Sequence, residues 1–160
     1  MAKRREILLL EDDMIQTMLF RAAIDNIHGV VSNFTDAEQA LKVANRSTFD
    51  LYIVDLGIFL KPGVFDQFGG IRFVSSLRKA VSRTAPIIIA TADRSPKPLL
   101  ACFRAGADDY VLKDEGIAKV VSRLKGWVNQ LPLSESALAE QREQVLTFLS
   151  NAAEKENSLP

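Results

Sequence analysis

A short apolar run that ends on a carboxylate constrains the fold of this chain more than any other feature. The run is DLYIVD at residues 50–55, and glycine and proline follow it within residues 57–63. An unbroken apolar segment of this length, rich in β-branched and aromatic residues, predicts a strand buried on both faces in a parallel sheet. Ligands bind such sheets outside the carboxyl ends of the strands, so Asp55 is predicted to lie at a functional edge.

Three other strand-like runs also end on polar side chains. These ends are Glu11 and Asp12 after residues 6–10, Thr91 after residues 86–90, and Lys113 after residues 109–112. Taken singly, each has an ordinary explanation, because acids are common in turns and at helix N-termini. The carboxyl ends of parallel strands share one edge of a sheet, however. The conjunction of these side chains with Asp55 therefore predicts a functional site.

Helical patterns alternate with the strand-like runs, which predicts five strand–helix units in succession. The predicted fold class is α/β: a doubly wound five-stranded parallel sheet with helices on both faces, plus an extra C-terminal helix. We expect a domain over residues 5–130 and a helical extension over residues 131–160. Residues 134–157 form an amphipathic helix whose apolar stripe packs either on its own domain or on a partner.

Local signals predict how individual elements begin. Asp13 is a candidate N-cap for the first helix, and Thr35 with Glu38 has the spacing of a capping box before the second. The apolar positions assigned to the first helix are Met14, Met18, Ile24 and Ile27. The connection over residues 56–70 far exceeds the usual length of about two to six residues, which predicts a functional loop. Its phenylalanines, Phe59, Phe65 and Phe68, either dock a partner or fold back on the sheet edge.

Charge and cysteine content exclude several classes of function. Twenty basic and twenty acidic residues give a formal net charge of zero, which removes any general attraction to nucleic acid or to a membrane surface. A single cysteine, Cys102, excludes an intramolecular disulfide and a thiolate metal cluster. The apolar run near the N-terminus is too short for a signal peptide or a membrane span, so we expect a cytoplasmic protein.

The predicted site has the composition of a magnesium-dependent phosphoryl acceptor. Glu11, Asp12 and Asp55 would repel one another unless a cation joined them, and Mg²⁺ prefers carboxylates together with water and phosphate oxygens. An aspartate can attack a phosphoryl group to give an acyl phosphate. The Thr91 hydroxyl and the Lys113 ammonium are suitable donors to the phosphoryl oxygens.

Four motifs together resemble the receiver domain of response regulators in two-component phosphorelay systems. They are ILLLEDD at residues 7–13, DLYIVD at 50–55, PIIIATA at 86–92 and GADDYVLK at 106–113. This resemblance implies a flavodoxin-like fold and a role in signal transduction. It implies that Asp55 accepts a phosphoryl group from a sensor histidine kinase or a histidine phosphotransfer protein, and that the phosphoprotein then contacts a downstream protein target. It leaves a homodimer open.

The resemblance also implies roles for individual residues. The implied Mg²⁺ ligands are Glu11, Asp12, Asp55 and the backbone carbonyl of Gly57. Thr91 and Lys113 would bind phosphoryl oxygens, and the rotamer of Tyr110 would report the state of Thr91. Phosphorylation would shift a two-state equilibrium and alter the face of the fourth helix, the fifth strand and the fifth helix. The chain is thus expected to be a signalling domain, not an enzyme, with at most weak autodephosphorylation.

Three departures from the family pattern stand out. Asp114 follows Lys113 where the family usually has a proline after a cis bond, so a trans bond is expected; residues 56–70 are enlarged; and no output domain is recognisable after residue 130. One alternative is therefore a degenerate receiver that serves as a constitutive interaction module. Another is a phosphohydrolase of the haloacid dehalogenase type, which would need an acid where Gly57 stands.

Overall fold

The strand-like runs of the sequence form a single parallel sheet with their polar ends on one edge. The computed structural model describes residues 3–159. Its five-stranded sheet has the order β2-β1-β3-β6-β7, and β4 pairs with β5 in a separate antiparallel hairpin. The strands are β1 (Arg5–Leu10), β2 (Gly29–Phe34), β3 (Leu51–Asp55), β4 (Ile58–Lys61), β5 (Val64–Asp66), β6 (Ile87–Thr91) and β7 (Asp109–Leu112). The helices are α1 (Met14–Asn26), α2 (Ala37–Ala44), α3 (Gly69–Ala80), α4 (Pro96–Ala105), α5 (Ile117–Gln130) and α6 (Glu135–Asn157).

Successive residues of the central strands face opposite sides of the sheet, and helices cover both sides. Leu8 and Leu10 of β1 pack in a cluster with α2, α3 and α4, whereas Ile7 and Leu9 pack in a second cluster with α1 and α5. This arrangement explains why β1, β3 and β6 are almost continuously apolar, since a strand covered on both faces has no solvent side. The predicted α/β fold class, including the extra C-terminal helix, is confirmed.

Helix α6 packs on its own domain, which decides between the two arrangements that the sequence left open. Ser134 caps the helix by accepting the N–H of Ala137. Leu138 joins the cluster on the α1 and α5 side, while Leu149 and Ala153 join the cluster on the α4 side. The apolar stripe of α6 therefore contributes to both cores. The division into a domain and an extension at residue 130 stays a prediction.

A fully buried carboxylate, Asp108, ties α6 to the rest of the fold. Its oxygens accept hydrogen bonds from Arg78 of α3 at 2.6 Å, from Arg142 of α6 at 2.8 Å and from the Ile87 N–H at 2.9 Å. Burial raises the pKa of Asp108, and both arginines oppose that shift. A buried charge is tolerated only when it is paired and hydrogen-bonded, so these partners are required by the fold.

Two local predictions about helices were wrong. The N-cap of α2 is Asp36, which accepts the N–H of Gln39, and not Thr35 of the predicted capping box. Of the four apolar positions assigned to the first helix, Met14 and Met18 are exposed, whereas Ile24 and Ile27 are buried together with Phe20 and Ala23. The first helix begins as expected, because Asp13 accepts the N–H of Gln16.

The connection over residues 56–70 is not an irregular loop but contains the β4–β5 hairpin. Gly63 at the turn has a φ of 80°, a left-handed conformation that glycine adopts without steric cost. Ile58 at the start of β4 is buried in the core, whereas Val64, Phe65 and Phe68 are exposed. Phe59 and Phe65 pack edge to face with ring centroids 5.3 Å apart.

The first turn of α3 approaches the end of β3 so closely that it requires glycine. A Cβ atom on Gly70 would lie 2.4 Å from the backbone oxygen of Asp55. The Gly70 N–H instead donates to the Leu56 oxygen at 2.8 Å, which fixes the backbone immediately after Asp55. Gly70 thus holds the end of β3 against the first turn of α3.

We expect Leu149→Ala to lower the free energy of unfolding by about 2 to 4 kcal/mol, because it leaves a cavity under α6. Leu149 is 3% exposed, and the adjacent Phe148 is 64% exposed. The matched control Phe148→Ala should change stability by less than about 0.5 kcal/mol in urea unfolding. Equal, small effects of both substitutions would contradict the docking of α6.

We expect Gly70→Ala to destabilise the protein by about 2 kcal/mol or more, because the added methyl group meets the Asp55 carbonyl. Gly126, in α5, has open space where its Cβ would lie. Gly126→Ala should therefore stabilise the protein by about 0.5 to 1 kcal/mol through its higher helix propensity. Urea unfolding of both variants measures this difference, and a neutral Gly70→Ala would refute the close contact.

Candidate functional site

Three carboxylates converge at the carboxyl ends of β1 and β3, which are neighbours in the sheet. One oxygen from each of Glu11, Asp12 and Asp55 lies within 4.8 Å of the others. Glu11 is 1% exposed, Asp55 is partly buried and Asp12 is exposed, so the cluster opens to solvent on the side of Asp12. The arrangement of acids that the sequence predicts at this edge is therefore present. Clustered carboxylate oxygens with an open side are the donor set that a hard divalent cation takes.

Lys113 joins two of these carboxylates. Its Nζ donates to Asp55 Oδ2 at 2.7 Å and also to Glu11 Oε2. Burial raises the pKa of both carboxyl groups, and Lys113 opposes that shift in each. Burial would lower the pKa of Lys113, but Asp55 and Glu11 outweigh it, so this pKa is raised. The ammonium thus keeps its charge and compensates the carboxylates.

The segment after Lys113 forms a turn that an arginine contacts. The peptide bond between Lys113 and Asp114 is trans, as expected. Residues Lys113–Glu115 form a 3₁₀ turn after β7. The Asp114 carboxylate accepts two hydrogen bonds from Arg94, both at 3.0 Å, across the loop that follows β6. Sequence analysis missed this pair, because no local pattern relates positions 94 and 114.

Thr91 and Tyr110 lie on the β6 and β7 side of the site. Thr91 is buried at the end of β6, next to Ala90, which is the register partner of Asp55. Its Oγ1 accepts the N–H of Asp93 at 2.9 Å. Tyr110 is half-buried, and its ring packs edge to face on that of Phe103 of α4, with the ring centroids 6.4 Å apart. The coupling between Thr91 and the Tyr110 rotamer stays a prediction.

The recorded neighbours of Gly57 and Tyr110 lie outside the acidic cluster. A Cβ atom on Gly57 would lie 3.0 Å from Cζ of Phe65, so the neighbour of Gly57 is the β4–β5 hairpin. Tyr110 lines an open groove of about 610 Å³ between β7, α5 and α6. The metal contact through the Gly57 carbonyl remains a prediction.

Several supporting residues escaped the sequence analysis. The Asn33 side chain donates to the backbone oxygens of Leu9, Glu11 and Phe34, and the Asp13 N–H donates to Glu11 Oε1 at 3.0 Å. These bonds fix the chain as it leaves β1. Asp109 accepts from Arg123 and from Trp127 Nε1, so the second acid of GADDYVLK is structural. In the sequence, only its place in this motif indicates that Asp109 has a role.

Within residues 3–159, no helix is both long and apolar enough to cross a membrane.

Sequence comparison relates the chain to regulators that are longer than itself. It is 27% identical over 113 residues to the transcriptional activator protein PfeR of Pseudomonas aeruginosa, covering 71% of this chain and 34% of that protein. It is 25% identical over 127 residues to the response regulator ArlR of Staphylococcus saprophyticus, covering 79% and 54% respectively. The chain thus spans about a third to a half of the length of these curated relatives.

Solved structures share the fold and, in one case, hold a magnesium ion. The receiver domain of sensor histidine kinase PA1611 from Pseudomonas aeruginosa, with magnesium coordinated in its active-site cleft, is 26% identical with a TM-score of 0.63. The comparison covers 79% of this chain and 99% of that one. A CheY-like receiver domain protein from Methanospirillum hungatei has a TM-score of 0.66 at 18% identity, covers 89% and 99% of the two chains, and supports the fold alone.

The family model of the response regulator receiver domain matches residues 7–125. This match includes both carboxylate-bearing strand ends, Thr91 and Lys113. The same stretch forms the five-stranded parallel sheet and its flanking helices α1 to α4 with most of α5. The chain belongs to the response regulator receiver domain family, a family of signalling domains in two-component systems.

Proposed function

We propose that this protein receives a phosphoryl group on Asp55 from a histidine-bearing donor, with Mg²⁺, and passes the signal on through protein contacts. The observation that carries this proposal is the convergence of Glu11, Asp12 and Asp55, with Lys113 bonded to two of them. A carboxylate with a cation beside it is equipped to attack phosphorus, because the added negative charge is compensated where it develops.

The donor set fits Mg²⁺. Glu11, Asp12 and Asp55 offer hard oxygen ligands, and the exposed side of the cluster leaves room for water and for phosphoryl oxygens. When bound there, Mg²⁺ would neutralise the charge of the transferred group. We further propose that the Gly57 carbonyl completes the site, since Gly57 lies two residues beyond Asp55.

The transfer itself follows from the groups at the strand ends. An Asp55 carboxylate oxygen attacks the phosphorus of a phosphohistidine, a P–O bond forms, and the P–N bond breaks to release the imidazole. Lys113 already contacts Asp55, so a small shift brings its ammonium to a phosphoryl oxygen. The oxygen of Thr91 accepts from the Asp93 N–H, which leaves the Thr91 proton available to the phosphoryl group.

A partner must cover the surface around Asp55 to deliver its phosphoryl group, and α1 offers an apolar surface there. Met14, Ile15 and Met18 are 77%, 70% and 65% exposed. Leu19 of the same helix lines a small cavity of about 50 Å³ with Lys113. We propose that a sensor histidine kinase or a histidine phosphotransfer protein docks on this helix.

We place signal output on the side of Tyr110. Its ring contacts Phe103 of α4, and α6 packs on α4 and also borders the groove that Tyr110 lines. A change at Thr91 that moved Tyr110 would therefore alter a surface formed jointly by β7, α5 and α6. The target is a protein, because the zero net charge gives no general attraction to nucleic acid.

Incubation with phosphoramidate and Mg²⁺ should add one phosphoryl group to the protein, seen as a single mass increase by intact-mass spectrometry. Asp55→Asn should abolish the addition, because an amide is not a nucleophile towards phosphorus. Asp25→Asn, at an exposed acid on α1, is the control and should retain it. Unchanged labelling of Asp55→Asn, or none of the wild-type protein, would refute the proposal.

Asp12→Asn should stabilise the protein by about 1 kcal/mol without Mg²⁺, because it removes one of three clustered negative charges. With Mg²⁺ the wild type should gain more stability than the variant, since a ligand stabilises the state that binds it. Thermal unfolding with and without Mg²⁺ measures both effects.

The control for Asp12→Asn is Glu143→Gln, which makes the same charge change at an exposed position of α6. It should leave the response to Mg²⁺ unaltered. An Asp12→Asn protein that is less stable than the wild type without Mg²⁺, or that responds equally to Mg²⁺, would contradict the assignment of Asp12 to the metal site.

A further inference from the structure

Two neighbouring loops at the carboxyl edge of the sheet carry the side chains that would bind the phosphoryl oxygens. Thr91 ends β6 and leads into the loop before α4, and Lys113 begins the 3₁₀ turn after β7. The two strands pair directly, with Thr91 as the register partner of Leu112. The loops therefore leave the sheet side by side. The separation of the two phosphoryl-binding groups depends on how these loops are held together.

An ion pair joins the two loops. Arg94, in the loop after β6, donates to both carboxylate oxygens of Asp114 at 3.0 Å, and Asp114 immediately follows Lys113. The other terminal nitrogen of Arg94 lies 3.7 Å from one oxygen of Glu115, and Lys119 lies 3.4 Å from the second oxygen. Two cations and two carboxylates thus form a network. A pair with two hydrogen bonds inside a network holds a more defined geometry than an isolated surface pair.

Short paths connect each end of this ion pair to a phosphoryl-binding group. The Asp93 N–H donates to Thr91 Oγ1 at 2.9 Å, and the Ser95 N–H donates to Asp93 Oδ1 at 2.8 Å. Arg94 therefore belongs to a loop that is hydrogen-bonded on both sides of it. On the other side, the acid belongs to the 3₁₀ turn Lys113–Glu115. Moving one end of the pair relative to the other would change the separation of the hydroxyl and the ammonium.

The ion pair adds little to the stability of the fold. The side chains of Arg94 and Asp114 are 58% and 52% exposed, and water and salt screen exposed charges. Groups that act on a reacting centre work best when their geometry is set before the substrate arrives, because no reorganisation is then needed during the reaction. An exposed pair beside the site therefore serves the reaction more than the fold.

We propose that the ion pair of Arg94 with Asp114 is a positioning device for phosphoryl transfer. It holds Thr91 and Lys113 at the separation in which both reach the phosphoryl oxygens on Asp55. This inference rests on the proposed function. The two paired residues act through their neighbours in the loops, and the charge on the transferred group is met by the hydroxyl and the ammonium together.

The test measures the rate constant of phosphorylation of the whole chain by phosphoramidate at saturating Mg²⁺, followed by intact-mass spectrometry. Arg94→Gln removes a positive charge and Asp114→Asn removes a negative charge, and each weakens the same pair. Both variants should therefore be slower than the wild type by about threefold. An effect of charge alone on the anionic donor would have opposite signs, because the first variant would repel the donor more and the second would repel it less.

The double variant shows whether the two residues act as a pair. Arg94→Gln with Asp114→Asn should be no slower than the slower single variant, because the pair is already broken in each. Arg83→Gln is the matched control, since Arg83 and Glu135 form an exposed ion pair between different elements, at 3.4 Å. It should leave the rate constant unchanged. Urea unfolding of every variant should remain cooperative, so that partial unfolding does not explain a slower reaction.

The outcomes separate this inference from the function on which it rests. Equal rates in all variants would overturn the role of the ion pair and leave the phosphoacceptor role of Asp55 intact. Opposite effects of Arg94→Gln and Asp114→Asn, or additive slowing in the double variant, would also overturn it, because the residues would then act separately. Absence of labelling in the wild type would overturn the proposed function itself.

Discussion

The contact of one ammonium with two carboxylates is the interaction on which the site depends. Glu11 is 1% exposed, so its negative charge is unfavourable without a nearby cation. Lys113 supplies that charge from a residue 102 positions away and contacts Asp55 as well. In the sheet, β1 lies beside β3, and β6 lies between β3 and β7. This strand order brings the two carboxylates and the ammonium to one edge, where their charges compensate one another. Folding brings together charges that would be costly to bury one at a time.

Acids at opposite ends of the sheet perform different physical tasks because their surroundings differ. Asp108 and Asp109 lie at the opposite end of β7 from Lys113, and both are buried against arginines. Asp108 joins α3, β6 and α6, so the C-terminal helix is attached through a charge network as well as through its apolar stripe. Buried ion pairs thus fix the edge formed by the amino ends of the strands, whereas the edge formed by their carboxyl ends keeps an exposed carboxylate, Asp12.

The segment after Asp55 combines a close backbone contact with a β-hairpin. Gly70 allows α3 to approach the Asp55 backbone, and the Gly70 N–H bonds to the Leu56 oxygen. The chain between Leu56 and Gly70 forms the β4–β5 hairpin. Its buried residue Ile58 packs against α3, and its exposed residue Phe65 packs against Gly57. The hairpin leaves the five-stranded sheet unaltered, because β3 ends at Asp55 and the hairpin strands pair with each other in a separate sheet.

The sequence by itself determined the α/β fold class, the existence of the strands and the set of polar residues at their ends. Apolar runs, caps and helical periodicity are local properties, so Asp55, Glu11, Asp12, Thr91 and Lys113 could all be assigned to one edge. Local signals did not identify the N-cap of α2, because Thr35 and Asp36 are adjacent residues that can both cap a helix. They also assigned Met14 and Met18 to the buried face of α1, although both side chains are exposed.

Only the tertiary structure decided that α6 packs on its own domain, that Asp108 joins Arg78 and Arg142, and that residues 56–70 form a hairpin with Phe65 against Gly57. The packing of α6 and the pairs made by Asp108 join residues that are distant in the chain, so no short stretch of sequence contains both partners. The hairpin pairs nearby residues, but it is held by the burial of Ile58 in the core, which only the folded state supplies.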